Sequence, residues 1–420
     1  MQSKSTWEMT DLNMTSLTST NGRRLSFMMA GLPAPLTADR EQPRVPRVLP
    51  IALIAVVLLS ALVQAATVAA SVPAPAVGTL ETVAELPINP GNLSVTGDGR
   101  VFATVHQFRP ADAQLIEITG RNRYHPWPDA DWNAAFGSGS DVLNAPLGIQ
   151  IDRKGRLWVI DNGLGAEPQA PKLVAFSLDT GEAVFRHDFS PEIGPVGSFL
   201  NDLAVDEERG FIYIADVGGT EEPALVIVDL SNNQARRFSA SEALAAEDVD
   251  LVVEGRVLGA PDETGKFNPA RIAVNPITLS ADGETLYFGA MNGTTWYQLP
   301  SKLLREGAND EIIAAAIAKV GPKPVSDGAS TDRDGNHYFT DLGNNAISVL
   351  RTDGSLQRLV QDERLLWPDA LSFGEPGWLY IAVNQLHLAP ALNGGVDSSR
   401  PPYRILRVYT GTEAVSYTHL

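Results

Sequence analysis

The chain of 420 residues contains no cysteine. That excludes disulfides, a thiolate nucleophile and any cysteine-ligated metal, and it leaves the compartment open, because exported proteins exist without disulfides. Histidine is scarce too: six residues, scattered singly and without ligand spacing. There is no Gly-x-Ser-x-Gly elbow, phosphate-binding loop, dinucleotide fingerprint or His-Glu-x-x-His pair, so the commonest hydrolase, nucleotide and zinc-protease chemistries have no foothold. Asp332-Arg-Asp334-Gly335-Asn336 imitates the start of a calcium loop. Its sixth position is His337 and its twelfth Gly343, so it reads as a turn. Positive charge is in deficit: 32 Lys and Arg against 50 Asp and Glu give a net charge of −18. Nucleic acid and an anionic membrane surface are therefore poor partners.

Long apolar runs are also few. The main one, Leu49 to Val63, is interrupted only by Pro50 and Ser60. Basic residues precede it and small residues follow, the layout of a secretory signal, and the run is short for a membrane span. The expected organisation is a disordered or spurious extension over 1–48, a signal segment over 49–70, a linker over 71–79, one folded domain over 80–410 and a tail over 411–420 of artefactual character. Cleavage after Ala65 or Ala70 would give a secreted or periplasmic protein with no stable membrane insertion. An uncleaved N-terminal anchor is the alternative.

What the sequence has in abundance is one repeated unit. In Ser198 to Gly219, the apolar stretch Leu203-Ala-Val205, a polar turn ending at Gly210 and the strand Phe211 to Ala215 spell a hairpin. Matching units run from Val95 to His106, Ile149 to Gly163, Ile277 to Asn292, Ala329 to Gly343 and Leu371 to Asn384. Their turn glycines, Gly99, Gly155, Gly210, Gly283, Gly335 and Gly377, are separated by 56, 55, 73, 52 and 42 residues. Several strands per repeat at that period describe an all-β, six-bladed β-propeller. The 73-residue gap holds an insertion: a helix over Ser239 to Asp248 capped by Ser239, then a loop excursion over 249–271. A second helix is expected around Glu311 to Lys319, and the last strand over Tyr403 to Tyr409.

Just before each first strand, where propeller residues line the central channel, lie Asn92, Pro146-Leu147-Gly148, Asn201-Asp202, Asn275-Pro276, Ser326-Asp327-Gly328 and Pro368-Asp369. Small polar and acidic side chains thus converge from the blades. Oxygen-only groups of this kind suit a hard divalent cation such as calcium, and convergent carboxylates suit acid–base work on a small molecule. The bland reading is that these Asn and Asp residues cap turns.

At these residues the chain resembles the major royal jelly protein/yellow family. The likeness is carried by Gly148 to Gly163 with Pro171-Lys-Leu-Val-Ala-Phe176, by Phe199 to Asp206 with Tyr213 to Asp216, by Ser326 to Gly335 and by Leu366 to Phe373. It implies a secreted six-bladed propeller. Insect members convert dopachrome or bind amines and other small ligands; lacking their cysteines, this chain resembles bacterial-type members. A more distant likeness to gluconolactonase/regucalcin propellers implies a divalent ion on Asn275 and Asp327, with Asn201 on the substrate side and Asn92 where that family has a glutamate.

Three functions follow as expectations. The first is a ligand-binding protein, or an isomerase of a quinone-like substrate, with Asp327 or Asp369 as proton shuttle and Asn92, Asn201, Asp202, Asn275 and Ser326 around the ligand. The second is a metal-dependent lactonase whose ion sits on Asn275 and Asp327. The third is a non-catalytic interaction scaffold.

Overall fold

The computed structural model describes residues 73–413 apart from 110, 136, 165–168, 196 and 219–221. The expected N-terminal extension, the signal segment and the end of the tail lie outside the described residues. Six four-stranded antiparallel sheets make up a six-bladed β-propeller. Their innermost strands are Pro90–Val95 in blade 1, Pro146–Ile151 in blade 2, Leu200–Asp206 in blade 3, Val274–Leu279 in blade 4, Ala329–Thr331 in blade 5 and Pro368–Phe373 in blade 6. Each repeated hairpin is the inner pair of one blade. All six turn glycines have φ between +68° and +90°, a region that favours glycine over residues with a Cβ.

The ring closes through both ends of the domain. Leu80–Leu86 is the outermost strand of blade 6, paired antiparallel with Tyr403–Tyr409, which in turn pairs with Trp378–Val383. Each inner strand touches the inner strands on either side, and blade 1 touches blade 6. Apolar side chains fill every space between neighbouring blades, for example Trp158, Leu203, Ile212 and Ile214 between blades 2 and 3, and Tyr338, Leu371, Phe373 and Leu379 between blades 5 and 6. A further cluster sits at the channel mouth, where Leu251, Val253 and Leu258 of the insertion pack with Met291, Leu342, Trp367 and Leu386.

The insertions differ from expectation in detail. Between blades 3 and 4 there is only a 3₁₀ turn, Glu242–Leu244, and its cap is Ser241, not Ser239. The small, polar stretch around it has too few apolar positions to hold a longer helix against the blades. The excursion over 249–271 is not a plain loop: it forms two short hairpins, Val252–Val253 with Arg256–Val257 and Gly259–Pro261 with Phe267–Pro269. The later helix spans Asp310–Ala316, capped by the Asn309 side chain, which accepts from the Ile312 N–H at 2.9 Å. Ala318–Pro322 is the outer strand of blade 4, because edge pairing with Thr295–Pro300 claims the residues that a longer helix would need.

In five blades the channel residues lie inside the first strands, at irregularities, whereas in blade 5 Ser326, Asp327 and Gly328 precede the strand Ala329–Thr331 as expected. The register slips between Pro90 and Leu93, Pro146 and Ile149, Leu200 and Leu203, Val274 and Ile277, and Pro368 and Leu371. A bulge of this kind re-aims a side chain without ending the strand. Bulged inner strands come very close: a Cβ on Gly148 would lie 2.1 Å from the Asn201 carbonyl oxygen, and one on Gly328 would lie 2.5 Å from that of Asp369. Gly148→Ala is expected to destabilise the domain by ~1–3 kcal/mol, as overpacking against backbone does. Urea unfolding measures it; an unchanged midpoint would show that the strands can separate freely.

Candidate functional site

A chain of side-chain hydrogen bonds runs around the channel from blade 3 to blade 6. The Asn201 amide donates to Asn275 Oδ1. Asn275 Nδ2 donates to Asp327 Oδ1 at 2.6 Å, and Trp367 Nε1 donates to Asp327 Oδ2 at 2.8 Å. Both oxygens of Asp327 are therefore accepting. Asp369 accepts one bond, from Asn384 Nδ2 at 2.5 Å. Asn92 Nδ2 reaches from blade 1 to Asp202 Oδ1 of blade 3 at 2.7 Å; blade 2 presents Gly148 at the corresponding place and has no side chain there to compete.

Backbone anchors hold these groups in place. Thr340 Oγ1 accepts from the N–H groups of Asp327 and Gly328 at 2.9 and 3.1 Å. Thr104 plays the matching part in blade 1, accepting from the Asn92 N–H at 3.0 Å and donating to the Leu147 carbonyl at 2.9 Å. Trp367 is buried with φ +59° immediately before Pro368, and Ala145 has φ +68° immediately before Pro146. A bulky residue in the left-handed region costs of the order of 1–3 kcal/mol and persists where the surroundings fix it. Here the constraint brings the indole N–H to Asp327.

The predicted residues divide between two spaces. Asn201, Asp327 and Asp369 line a cavity of about 530 Å³ at the channel mouth, with walls that include Phe108, Leu147, Phe199, Ile272, Met291 and Leu386. Asn92 and Asp202 line a narrower space of about 60 Å³ further along the inner strands, together with Ser94, Gln150, Thr278 and Ser330. Asn275 is on neither wall; it is fully buried and links Asn201 to Asp327. Ser326 is also fully buried and off the cavity, accepting from Lys323 Nζ at 3.1 Å. Burial with no carboxylate in contact lowers the Lys323 ammonium to about 7.

Three carboxyls share this channel, and among the described residues no cation pairs with them. Burial raises Asp327 to about 7, against the pull of the Trp367 and Asn275 hydrogen bonds toward the ionised form. Asp369 is raised well above the usual carboxylate range by burial and then by the charge of Asp327, and Asp202 by the same two causes. Asp327 thus holds its charge most easily, and Asp369, which accepts one hydrogen bond among the described residues, is pushed further toward its protonated form. This is the arrangement by which neighbouring acids acquire opposite roles.

The same bonds bear on a divalent ion. The oxygens of Asn275 and Asp327 all accept hydrogen bonds within the protein, and among the described residues no three His, Asp or Glu side chains group closely enough to hold a metal. A hard cation needs several free oxygens at once. The expected pair does not fit one as arranged.

Reasoning from sequence missed Trp367, Asn384 and His106. Asn384 could have been found, because Asp161, Asp216 and Asp341 end the second strand in three other blades and Asn292 follows it by two residues in a fourth. In blades 2 to 4 that residue accepts the N–H of Asn144, Phe199 or Ile272 and ties down the preceding loop. In blade 6 the amide turns to Asp369.

Fold and site together define a six-bladed propeller with a polar-floored, apolar-walled channel mouth. Residues 145–412 match the sequence model of the family described as Major royal jelly protein, and the chain belongs to that family. Blade 1, with Asn92 and His106, precedes the matched segment. Relatives include Protein yellow of Drosophila guanche, 26% identical over 269 residues that cover 59% of this chain and 46% of that protein. Protein yellow of Drosophila melanogaster is likewise 26% identical over 269 residues, covering 59% and 48%. The chain spans about half the length of the curated relatives it matches. Among solved structures, a luciferin-regenerating enzyme aligns with TM-score 0.50 and 10% identity over 81% of this chain and 99% of that one. Regucalcin of Agrobacterium tumefaciens aligns with TM-score 0.46 and 16% identity over 79% and 93%. At these identities the likeness concerns the fold alone.

Raised carboxyl pKa values set a sign for stability. A carboxyl whose folded value lies above its unfolded one stabilises fully below the unfolded pKa, near 4, and the contribution is lost as pH rises through the folded value. Asp369→Asn mimics the protonated acid, so its melting temperature is expected to match wild type at pH 4.5 and exceed it by a few degrees at pH 8. Asp327→Asn likewise removes a buried carboxyl whose pKa is raised, so its melting temperature is expected to change less with pH than that of wild type. Thermal melts across pH 4.5–8 decide both; a wild-type-like slope for Asp369→Asn would contradict the raised pKa.

Proposed function

We propose that this is a yellow-like propeller that binds a small, flat organic ligand at its channel mouth and exchanges protons with it. The observation that carries this reading is the cavity itself. Its volume of about 530 Å³ is that of a small-molecule site, and such sites pair apolar walls with a few placed polar groups. Asp327 and Asp369 stand on its wall with different hydrogen-bond complements.

In this reading Asp327, stabilised as an anion by Asn275 and Trp367, takes a proton from one atom of the ring. Asp369, which retains a proton, delivers one to another atom. One bond to hydrogen breaks, one forms, and the substrate leaves as its tautomer with no external electron acceptor. Asn201 orients the ring and Asn275 orients Asp327. Positioned acid–base groups contribute typically about 10²–10⁴-fold. Export past a membrane belongs to the same proposal, supported by the signal-like segment; no helix among the described residues is long and apolar enough to cross one.

The test is the decay of dopachrome absorbance, and calorimetric titration with catechols and indoles, for wild type and Asp327→Ala. Faster decay that falls about 100-fold or more in the variant supports the isomerase. Retained binding without turnover supports a carrier. Wild type that binds none of these rings overturns the reading. Ester hydrolysis abolished by a chelator would move the assignment to the lactonase class.

A further inference from the structure

The cavity wall contributed by blade 1 carries polar groups that the aspartate chemistry does not use. His106 directly follows the second strand of that blade, Val101–Val105, is 4% exposed and lines the mouth cavity. Its Nδ1 accepts the Phe108 N–H at 3.2 Å, which fixes the neutral tautomer with hydrogen on Nε2. A cationic ring would turn an Nδ1–H toward that N–H. Burial, and then the charge of Arg109, lower the imidazole to about 3, so it stays neutral in the physiological range. Among the described residues Nε2 has no hydrogen-bond partner. Beside it on the same wall, both amide atoms of Gln107 are buried without a partner.

The segment bearing these groups is held rigidly. Phe108 meets the His106 ring edge-on with centroids 4.6 Å apart. Arg109 spans to blade 6, donating to the carbonyls of Asn384 and Gln385 at 3.3 Å. Asn384 is the residue that donates to Asp369. The imidazole and the Asp369 carboxyl are thus positioned through one connected frame, and among the described residues the Nε2–H donor has no acceptor. His106 lines the cavity, so without a ligand its Nε2–H meets water there, and a ligand oxygen of fixed position takes that water's place.

We propose that His106 is the ligand-orienting donor of the channel mouth, its Nε2–H meeting a carbonyl or phenolic oxygen of a flat ring held between the apolar walls, from the blade next to that of Asp369. This rests on the cavity being a ligand site. It adds a requirement to that reading: the ring carries a hydrogen-bond acceptor on the side that faces blade 1. A ring lacking that oxygen leaves the imidazole unpaired and binds less tightly, and one hydrogen bond of ordinary strength corresponds to about tenfold in affinity.

The experiment uses oxindole and indoline, which share a bicyclic skeleton and differ by one carbonyl oxygen, titrated calorimetrically into the full chain. Wild type is expected to bind oxindole about tenfold more tightly. His106→Leu is expected to bring the two affinities together while leaving that for indoline unchanged. His106→Gln, which keeps a side-chain N–H donor, is expected to retain a preference and controls for any loss of folding in the leucine variant. In ¹⁵N-histidine spectra the His106 Nε2 resonance is expected to move on adding oxindole and stay still with indoline. Equal binding of the two rings by wild type, or a preference that survives His106→Leu, overturns the assignment while the cavity stands as a ligand site. Binding of neither ring overturns both.

Discussion

Everything at the channel depends on how closely the six inner strands approach one another. Side chains a few ångströms long bridge neighbouring blades only because the backbones nearly touch, at Gly148 beside Asn201 and at Gly328 beside Asp369. That proximity produces the relay from Asn201 through Asn275 to Asp327, with each blade passing one hydrogen bond to the next. It also forces the carboxyls together. Water is largely excluded, so each charge is expensive and each added charge more so. The bulges answer this crowding by turning the residues in and out of the lumen without breaking the ladders that hold the blades flat.

The fold was legible because its signal is repeated. A hairpin with a glycine at one fixed place says little once; six copies with strands between them leave few architectures. The class of site residue was legible for the same reason, since the bulge falls at one position in five of the six units. What stayed hidden depends on which way a side chain turns. Asn275 and Asn201 look alike in sequence, yet one lines the cavity and the other is enclosed behind it. Ser326 adjoins Asp327 in the chain and faces Lys323. Trp367 contributes through a left-handed backbone before proline, a conformation no composition or period announces. His106 directly follows a strand, and its chemistry emerges only once Phe108 is seen to occupy Nδ1.

The insertion between blades 3 and 4 shows the opposite limit. Its sequence suggested a helix and a loop, and the structure has a single 3₁₀ turn and two small hairpins. Local propensity was a weak guide there because the segment is shaped by what it covers. Leu251, Val253 and Leu258 lie against Trp367 and Leu386, so the apolar residues of the excursion answer to the channel mouth and not to a periodicity of their own. The residue that donates to Asp327 is thereby packed under the insertion.

Closure of the ring has a consequence for how the molecule is made. Glu81 is bonded to Arg407 across a separation of 326 residues, and the strand that seals blade 6 is the first of the domain to be synthesised. Until Tyr403–Tyr409 is available, Leu80–Leu86 has no partner and blade 6 lacks half its strands. Five blades can take shape in order of synthesis, but the ring cannot lock before Tyr403–Tyr409 has been made. Loop closure over such a span is slow compared with hairpin formation. The last step of folding therefore waits for that one strand, and the ring stays open until it docks between Leu80–Leu86 and Trp378–Val383.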